Sequence, residues 1–324
     1  MSALPPSIAR RLRLPLIAAP MFLVSGPDLV IAACRAGVIG SFPTANCRTV
    51  DELEHWLDRI NTALTPQDAP FCPNLIMRRE DLRQHLDCLL RHKVEMVITS
   101  VGSPQAVVGP LHDIGCLVFA DVASVQHARK AIAAGVDGLI LLTAGAGGQT
   151  GWANGFAFAR AVREFFSGPM VLAGGIADGQ ALWAAQVLGC DLAYMGTKFI
   201  ATRESLATTA YREMLVRSSV DDILLTTAVT GLETNMLRPS LEAAGLDPAQ
   251  LSGAIGQEPA AMLFASKPEG PSGASRWRDI WSAGHSVSGV RAIGDVSELV
   301  NCTRAEYEAA RAATQQLMTF GEDA

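Results

Sequence analysis

Residues 169–198 read PMVLAGGIADGQALWAAQVLGCDLAYMGTK. Two short apolar runs, Pro169–Ala173 and Leu192–Gly196, flank a helical stretch from Gly179 to Leu188, and each run ends in a glycine-bearing turn. A strand, a turn, a helix and a second strand of this length make a parallel crossover unit.

Working outward, the same unit recurs along the first two thirds of the chain. Strands are expected at Leu14–Pro20, Val38–Phe42, Phe71–Ile76, Met96–Val101, Leu117–Val122 and Gly138–Thr143. Between them the spacing predicts helices at Asp28–Ala36, Val50–Leu64, Glu80–Arg91, from Gln105, from a Ser124 cap to Ala134, and at Phe156–Phe166. Eight strand-then-helix units is the count that closes a parallel barrel. The strands are continuous apolar runs, as expected when barrel filling covers one face and helices the other. A doubly wound open sheet fits less well, because no dinucleotide-binding glycine fingerprint follows the first strand. The expected fold is therefore α/β, a (β/α)8 TIM barrel.

After Thr197 the rhythm breaks. Ser205–Ser218, Ser240–Ala244 and Arg304–Met318 read as helices, and Pro268–Ser275 as a Gly/Pro/Ser loop. The expected organisation is a barrel core over 1–204, a helical lid over 205–275, and a return segment with a C-terminal helix over 276–324 that completes the barrel.

The composition of the 324 residues narrows the partners. The formal charge is −6 with no basic run, which argues against nucleic acid, since phosphate neutralisation needs clustered Lys and Arg. No apolar run reaches the roughly 18 residues that span a bilayer, and no apolar core follows the basic start, so neither a membrane span nor a signal peptide is expected. Seven widely spaced cysteines without a CxxC suggest neither a disulfide framework nor a zinc site. A cytoplasmic protein acting on a small molecule, as a monomer or homodimer, is expected.

In this architecture chemistry sits in the loops after the strands. The strand ends carry Ala19-Pro20-Met21, Asn74, Ser100, Asp121, the run Thr143–Gly151, Ala173-Gly174-Gly175 and Gly196-Thr197. Glycines after the last two strands let backbone N–H groups approach an anion, and each turn leads into a helix N-terminus. A phosphate site at Gly174, Gly175, Gly196 and Thr197 is expected. Four glycines between Gly145 and Gly151 read as a flexible loop able to lie flat on a ligand ring, with Gln149 its one amide side chain. Asp121 is either a carboxylate facing the pocket or a helix cap beside Ser124. His55, His85, His92, His112 and His127 fall on helices or their flanks and read as surface or packing residues. His285 follows Ser282-Ala283-Gly284 and is a candidate titrating group over the pocket.

With IAAPMFLVS, FCPNLIM, AGAGGQTG, VLAGGIADG, LAYMGTKFIATRES and DIWSAGHSVSG in place, the chain from about Leu14 to Val290 resembles the nitronate monooxygenase (2-nitropropane dioxygenase-like) family of FMN-dependent barrels. The resemblance implies that Pro20 and Met21 lie along the flavin and Asn74 hydrogen-bonds its edge. It implies that Gly145 and Gly148 line the ring or ribityl chain, and that Gly174, Gly175, Gly196 and Thr197 hold the phosphate. Ser282 to Gly284 would return over the pocket. Two departures stand out. Many members carry a catalytic His in a pattern like AGGH-x-G, where this chain has Gln149, which cannot exchange a proton near neutral pH. In some relatives a Lys stands near the end of the fifth strand, where this chain has Asp121.

Three functions are open at this point. The first is oxidation of alkyl nitronates with dioxygen. The second is an NAD(P)H-dependent flavin reductase for a quinone, enoyl or acyl-thioester substrate. The third is a non-catalytic barrel that binds a phosphate ligand.

Overall fold

The eight apolar runs read as strands close into one all-parallel barrel in the computed structural model, which describes residues 4–251 and 279–319. They are β1 (Leu16–Ala18), β2 (Ile39–Pro43), β3 (Phe71–Ile76), β4 (Met96–Ser100), β5 (Leu117–Val122) and β6 (Gly138–Leu142). A two-residue strand outside the barrel, β7 (Gly148–Gln149), precedes β8 (Met170–Ala173) and β9 (Leu192–Met195). Pairing of Ile17 with both Ile39 and Tyr194 closes the ring between β2, β1 and β9.

Side chains alternate across each strand. Ile17, Ile39, Cys72, Met96, Ile98, Phe119, Ile140, Val171 and Leu192 fill the barrel interior. Their neighbours Leu16, Ala18, Val97, Val118, Ala120, Leu139, Leu141, Leu172 and Ala193 face the helices. This double burial is why the strands look continuously apolar in the sequence. Gly138 is where the interior leaves no room for a side chain: a Cβ there would lie 2.2 Å from the Phe119 ring.

The helices are α1 (Pro6–Ala9), α2 (Pro27–Ala36), α3 (Val50–Ala63), α4 (Leu82–Arg91), α5 (Gln105–Asp113), α6 (Val125–Ala133), α7 (Gly155–Arg163) and α8 (Gly179–Val187). Side-chain oxygens of Thr49, Ser124, Asn154 and Asp178 accept from first-turn N–H groups of α3, α6, α7 and α8. Each cap satisfies a donor that the helix itself cannot. Leu4 and Ile8 of the α1 region join the interior cluster. Arg11 beyond α1 reaches the Asp68 carbonyl and the Glu95 carboxylate, in the loops before β3 and β4. This segment therefore closes the end of the barrel opposite the strand C-termini.

Past β9 come α9 (Thr197–Ile200), α10 (Thr209–Arg217), β10 (Ile223–Thr226), β11 (Thr234–Leu237), α11 (Arg238–Ala243) and α12 (Val296–Thr319). The helices expected near 205–218 and 240–244 are present, but they share this segment with an antiparallel sheet of order β10-β11-β7. The loop expected at 268–275 lies outside the described residues. α12 begins earlier than its pattern suggested and packs against α8 and α2, in the place of the eighth barrel helix. Trp183 Nε1 donates to Thr314 at 2.9 Å, and the Gly179 N–H to Glu306 at 3.0 Å. No described helix is long and apolar enough to cross a membrane.

Candidate active site

The strand C-termini open into a cavity of about 1320 Å³, its open mouth included. Its wall on the β1 side is Ala19, Pro20 and Met21, and on the β6 side the glycine-rich loop from Gly145 to Gln149. Ala173, Gly174, Gly175, Gly196 and Thr197 form the side above β8 and β9. Tyr211, Ile280, Trp281, Ser282, Ala283 and Ser286 complete the lining from the lid and the return segment.

The floor is polar. Asp121 lies two residues beyond Phe119 on one strand face, and Tyr194 two beyond Leu192, so both rise from the interior layer into the cavity. Asn74 Oδ1 accepts from Ser100 Oγ at 2.9 Å, which leaves the Asn74 amide group to donate upward. Six buried side-chain polar atoms lack a hydrogen-bond partner among the described residues, and three belong to cavity residues: Asp121 Oδ1, Tyr194 Oη and Gln149 Nε2. Buried polar atoms are nearly always paired, so this concentration marks a place where a polar ligand supplies the partners. Burial alone pushes the Asp121 carboxyl up to about 7, while burial, followed by the charges of Asp121 and Cys72, holds the Tyr194 phenol well above its usual value.

The glycine-rich loop is not the slack segment its composition suggested. Gly148 and Gln149 pair with Asn235 and Thr234 of β11. Asn235, only 1 % exposed, donates through Nδ2 to the carbonyls of Ala144 at 2.9 Å and Ala146 at 2.7 Å. Thr150 Oγ1 donates to the Thr143 carbonyl at 2.7 Å, folding the loop back on β6. Gln149 is thereby held with its amide nitrogen buried at the cavity.

The turn after β8 runs through Gly174 at φ +119° and Gly175 at φ +74°. A Cβ on Gly174 would stand 2.3 Å from Thr143 Oγ1, while one on Gly175 would meet open space. Thus Gly174 packs against the loop and Gly175 borders the void. The expected role of the α8 N-terminus in anion binding needs correction. Asp178 accepts the Ala181 N–H and Glu306 the Gly179 N–H, so carboxylates already occupy that helix end. The anion-compatible backbone is the Gly174–Gly175 turn together with Gly196 and Thr197. Thr197 Oγ1 accepts the Gly284 N–H at 3.0 Å and keeps its own proton to donate.

Of the sequence-expected site residues, Ala19, Pro20, Met21, Asn74, Asp121, Gly145, Gly148, Gln149, Ala173, Gly174, Gly175, Gly196, Thr197 and Ser282 line the cavity. Asp121 is a cavity residue and not the cap of α6, a place that Ser124 takes. Gly284 is buried behind the lining, where a Cβ would lie 2.6 Å from the Gly145 carbonyl. His285 is exposed and is not among the lining residues; its N–H donates to the Gly145 carbonyl and its ring lies beside Gly145, where a Cβ would stand 3.4 Å from Nδ1. Its neighbour Ser286 lines the cavity. Sequence reading missed Tyr194, Ser286, Tyr211, Trp281 and the loop anchor Asn235. The two aromatic rings stack 5.0 Å apart. Strand alternation from Gly196 back to Tyr194 was the one signal that could have found a floor residue.

Elsewhere, Glu54, Cys88 and His92 converge between α3 and α4, away from the cavity. The Glu54 carboxylate there already accepts from Cys88, His92 and Arg91. His85 is fully buried beside Arg79 and Asp81, and burial pulls its imidazole down to about 4. All seven cysteines are free.

A closed parallel barrel with this cavity over its strand ends, and glycine turns after its last two strands, has the site architecture of the (β/α)8 enzymes, and the relatives narrow that class to oxidoreductases. The nitronate monooxygenase family model matches residues 79–301, more than half of the chain, and the protein belongs to that family. The chain is 29% identical over 230 residues to the (3aS,4S,5R,7aS)-5-hydroxy-7a-methyl-1-oxo-octahydro-1H-indene-4-carboxyl-CoA dehydrogenase of Mycobacterium tuberculosis, a match covering 70% of this chain and 64% of the relative. The chain thus spans just under two thirds of that enzyme's length. A nitronate monooxygenase of Paraburkholderia phytofirmans is 28% identical over 282 residues, covering 72% of this chain and 76% of the relative. Among solved structures, nitroalkane oxidase from Streptomyces ansochromogenes superposes with a TM-score of 0.81 at 25% identity, over 95% of this chain and 99% of that one. FabK from Thermotoga maritima does so with a TM-score of 0.78 at 25% identity, over 96% and 97%.

Proposed function

We propose that this chain binds FMN across the barrel mouth and moves a hydride between the flavin and an apolar, carbonyl-bearing substrate carried as an acyl thioester. The residues present fit FMN. Pro20 and Met21 offer a flat apolar bed, and Asn74, Asp121 and Tyr194 offer polar groups that lack protein partners or retain a free donor. The Gly174–Gly175 turn with Gly196 and Thr197 offers backbone and hydroxyl donors to a phosphate. When bound, FMN supplies the two-electron acceptor or donor.

The observation that carries the substrate reading is Gln149. Its amide nitrogen is buried at the cavity without a partner, and it cannot act as a base. It can donate a hydrogen bond to a carbonyl oxygen and polarise it, which suits hydride transfer to or from a carbonyl-conjugated carbon. The stacked Tyr211 and Trp281 and the neighbouring Ile280 give that substrate an apolar surface. The similarity to a carboxyl-CoA dehydrogenase supports the thioester class. NADH or NADPH is the expected electron donor if the physiological direction is reduction.

Oxidation of alkyl nitronates with dioxygen is the second reading, supported by the nitronate monooxygenase relatives. A nitronate arrives as an anion, so Gln149 can orient it without removing a proton. Anaerobic visible spectra decide between the two. Bleaching by NADH or NADPH with recovery on an enoyl thioester, or direct bleaching by a saturated acyl thioester, supports the first. Bleaching by ethyl nitronate alone, with oxygen uptake in air, moves the assignment to the second. A flavin that responds to none of these overturns both.

A further inference from the structure

The floor pair Asp121 and Tyr194 is not used by the chemistry described so far. Both side chains lie on the barrel side of the cavity, and each has a buried oxygen without a hydrogen-bond partner among the described residues. Tyr211, Ile280 and Trp281 lie on the lid side. A flat ring bound between Met21 and the glycine-rich loop would have the floor on one face and the lid on the other.

Among the described residues, no cation acts on Asp121. Tyr194 from β9 and Cys72 from β3 are the titratable groups that interact with it. Its strand neighbours β4 and β6 contribute Ser100 and Ile140, both uncharged. A half-buried carboxyl that opens only on the cavity and has no cation beside it is pushed towards keeping its proton and becoming a donor.

We propose that Asp121, as a neutral carboxylic acid, and Tyr194 form a donor pair that hydrogen-bonds the flavin ring from the barrel side and stabilises its reduced form. This rests on the FMN reading. Two-electron reduction raises the electron density on the ring heteroatoms, so neutral donors hold the reduced ring more tightly than the oxidised one. An ionised carboxylate does the reverse. At pH 6 the proton remains on Asp121 in both oxidation states and only the strength of the hydrogen bond changes; where the acid is ionised with oxidised flavin, reduction draws a proton onto it from solvent. Burial raises the Asp121 pKa to about 7 in the ligand-free chain, so the stabilisation is expected at pH 6 and is expected to fade towards pH 9.

The test is spectroelectrochemistry of the FMN-loaded protein between pH 6 and pH 9. It compares wild type with Asp121→Leu, Asp121→Asn and Tyr194→Phe. At pH 6, Asp121→Leu is expected to weaken binding of reduced relative to oxidised FMN about tenfold, a fall of about 30 mV in midpoint potential. Asp121→Asn keeps an N–H donor and stays within about threefold of wild type at pH 6. Above pH 8 it holds reduced FMN more tightly than wild type does. Tyr194→Phe, the variant least disturbing to packing, is expected to lower the ratio about threefold and carries the test if Asp121→Leu does not fold. A tenfold gain in Asp121→Asn at pH 6 means the group is ionised and overturns the proposal. An unchanged ratio in Asp121→Leu and Tyr194→Phe overturns it while leaving the FMN reading intact. A protein that takes up no FMN overturns both.

Discussion

Asn235 is the residue on which the glycine-rich loop hangs, and its replacement by Ala tests that directly. The side chain is fully buried and its Nδ2 bonds two loop carbonyls, at 2.9 and 2.7 Å. Alanine removes both hydrogen bonds and leaves two carbonyl acceptors without this donor. At roughly 1–2 kcal/mol for each lost bond with its stranded acceptor, the cost is about 2–4 kcal/mol. Unfolding entropy of about 2.1 cal/mol/K per residue amounts to roughly 0.7 kcal/mol/K for this chain length. The expected fall in Tm is therefore about 3–6 °C, read by differential scanning calorimetry. The loosened loop must also be ordered when FMN binds, so the FMN Kd is expected to rise about 10- to 100-fold, or about 1.4–2.8 kcal/mol. Asn235→Asp preserves shape but sets an acceptor against two acceptors, and is expected to be worse than Asn235→Ala on both readouts. An Asn235→Ala protein with Tm within about 1 °C and FMN Kd within about twofold of wild type would refute the claim that this residue organises the loop.

Four further outcomes follow from the site. Gly174→Ala combines a left-handed φ with a Cβ placed against Thr143 and Ala146, and is expected to cost more than about 2 kcal/mol and most FMN binding. Gly175→Ala has the strained φ but open space, so urea melts should show about 1 kcal/mol. The folded-state Asp121 pKa is raised from 3.8 to about 7, so its contribution to stability is fully present below pH 3.8 and is lost as pH rises to about 7. Asp121→Asn apoprotein should therefore gain up to about 4 kcal/mol on wild type between pH 4 and pH 8, measured by denaturant titration at both pH values. Gln149→His introduces a group that titrates near pH 6.5. The rate with a neutral nitroalkane, taken as a ratio to wild type at each pH, is expected to rise through that region, and a pH-independent ratio would place residue 149 out of reach of the substrate.

The barrel was legible because its signal is local and repeated. Each strand is a short doubly buried run, and several helices start at a capping residue such as Thr49, Ser124 or Asp178, so the apolar runs and these caps mark the elements with boundaries shifted by a few residues. The glycine turns after β8 and β9 were equally local. What escaped was decided by contacts far apart in the chain. The stiffness of the loop at 144–150 comes from Asn235, an isolated asparagine in a four-residue strand with no periodicity to reveal it. The closed N-terminus of α8 depends on Glu306, more than a hundred residues away. His285 and Ser286 could not be told apart in the sequence, because the direction of each side chain is set by a single turn of 3-10 helix at His285–Gly289. Tyr194 looked like one more apolar strand residue until its alternation partner Gly196 was placed at the cavity.

The contact between Glu306 and the Gly179 N–H joins the last helix to the segment that begins at Gly174. α12 is therefore docked on the end of the same short stretch, 174–179, that borders the cavity. Anything that steadies this stretch by occupying the cavity also steadies the seat of the helix, and by reciprocity a docked helix favours occupancy. Transient release of α12 uncovers the faces of α2 and α8 and slackens the stretch in one motion. Resistance of the final helix to proteolytic clipping is thus a gauge of how full the cavity is.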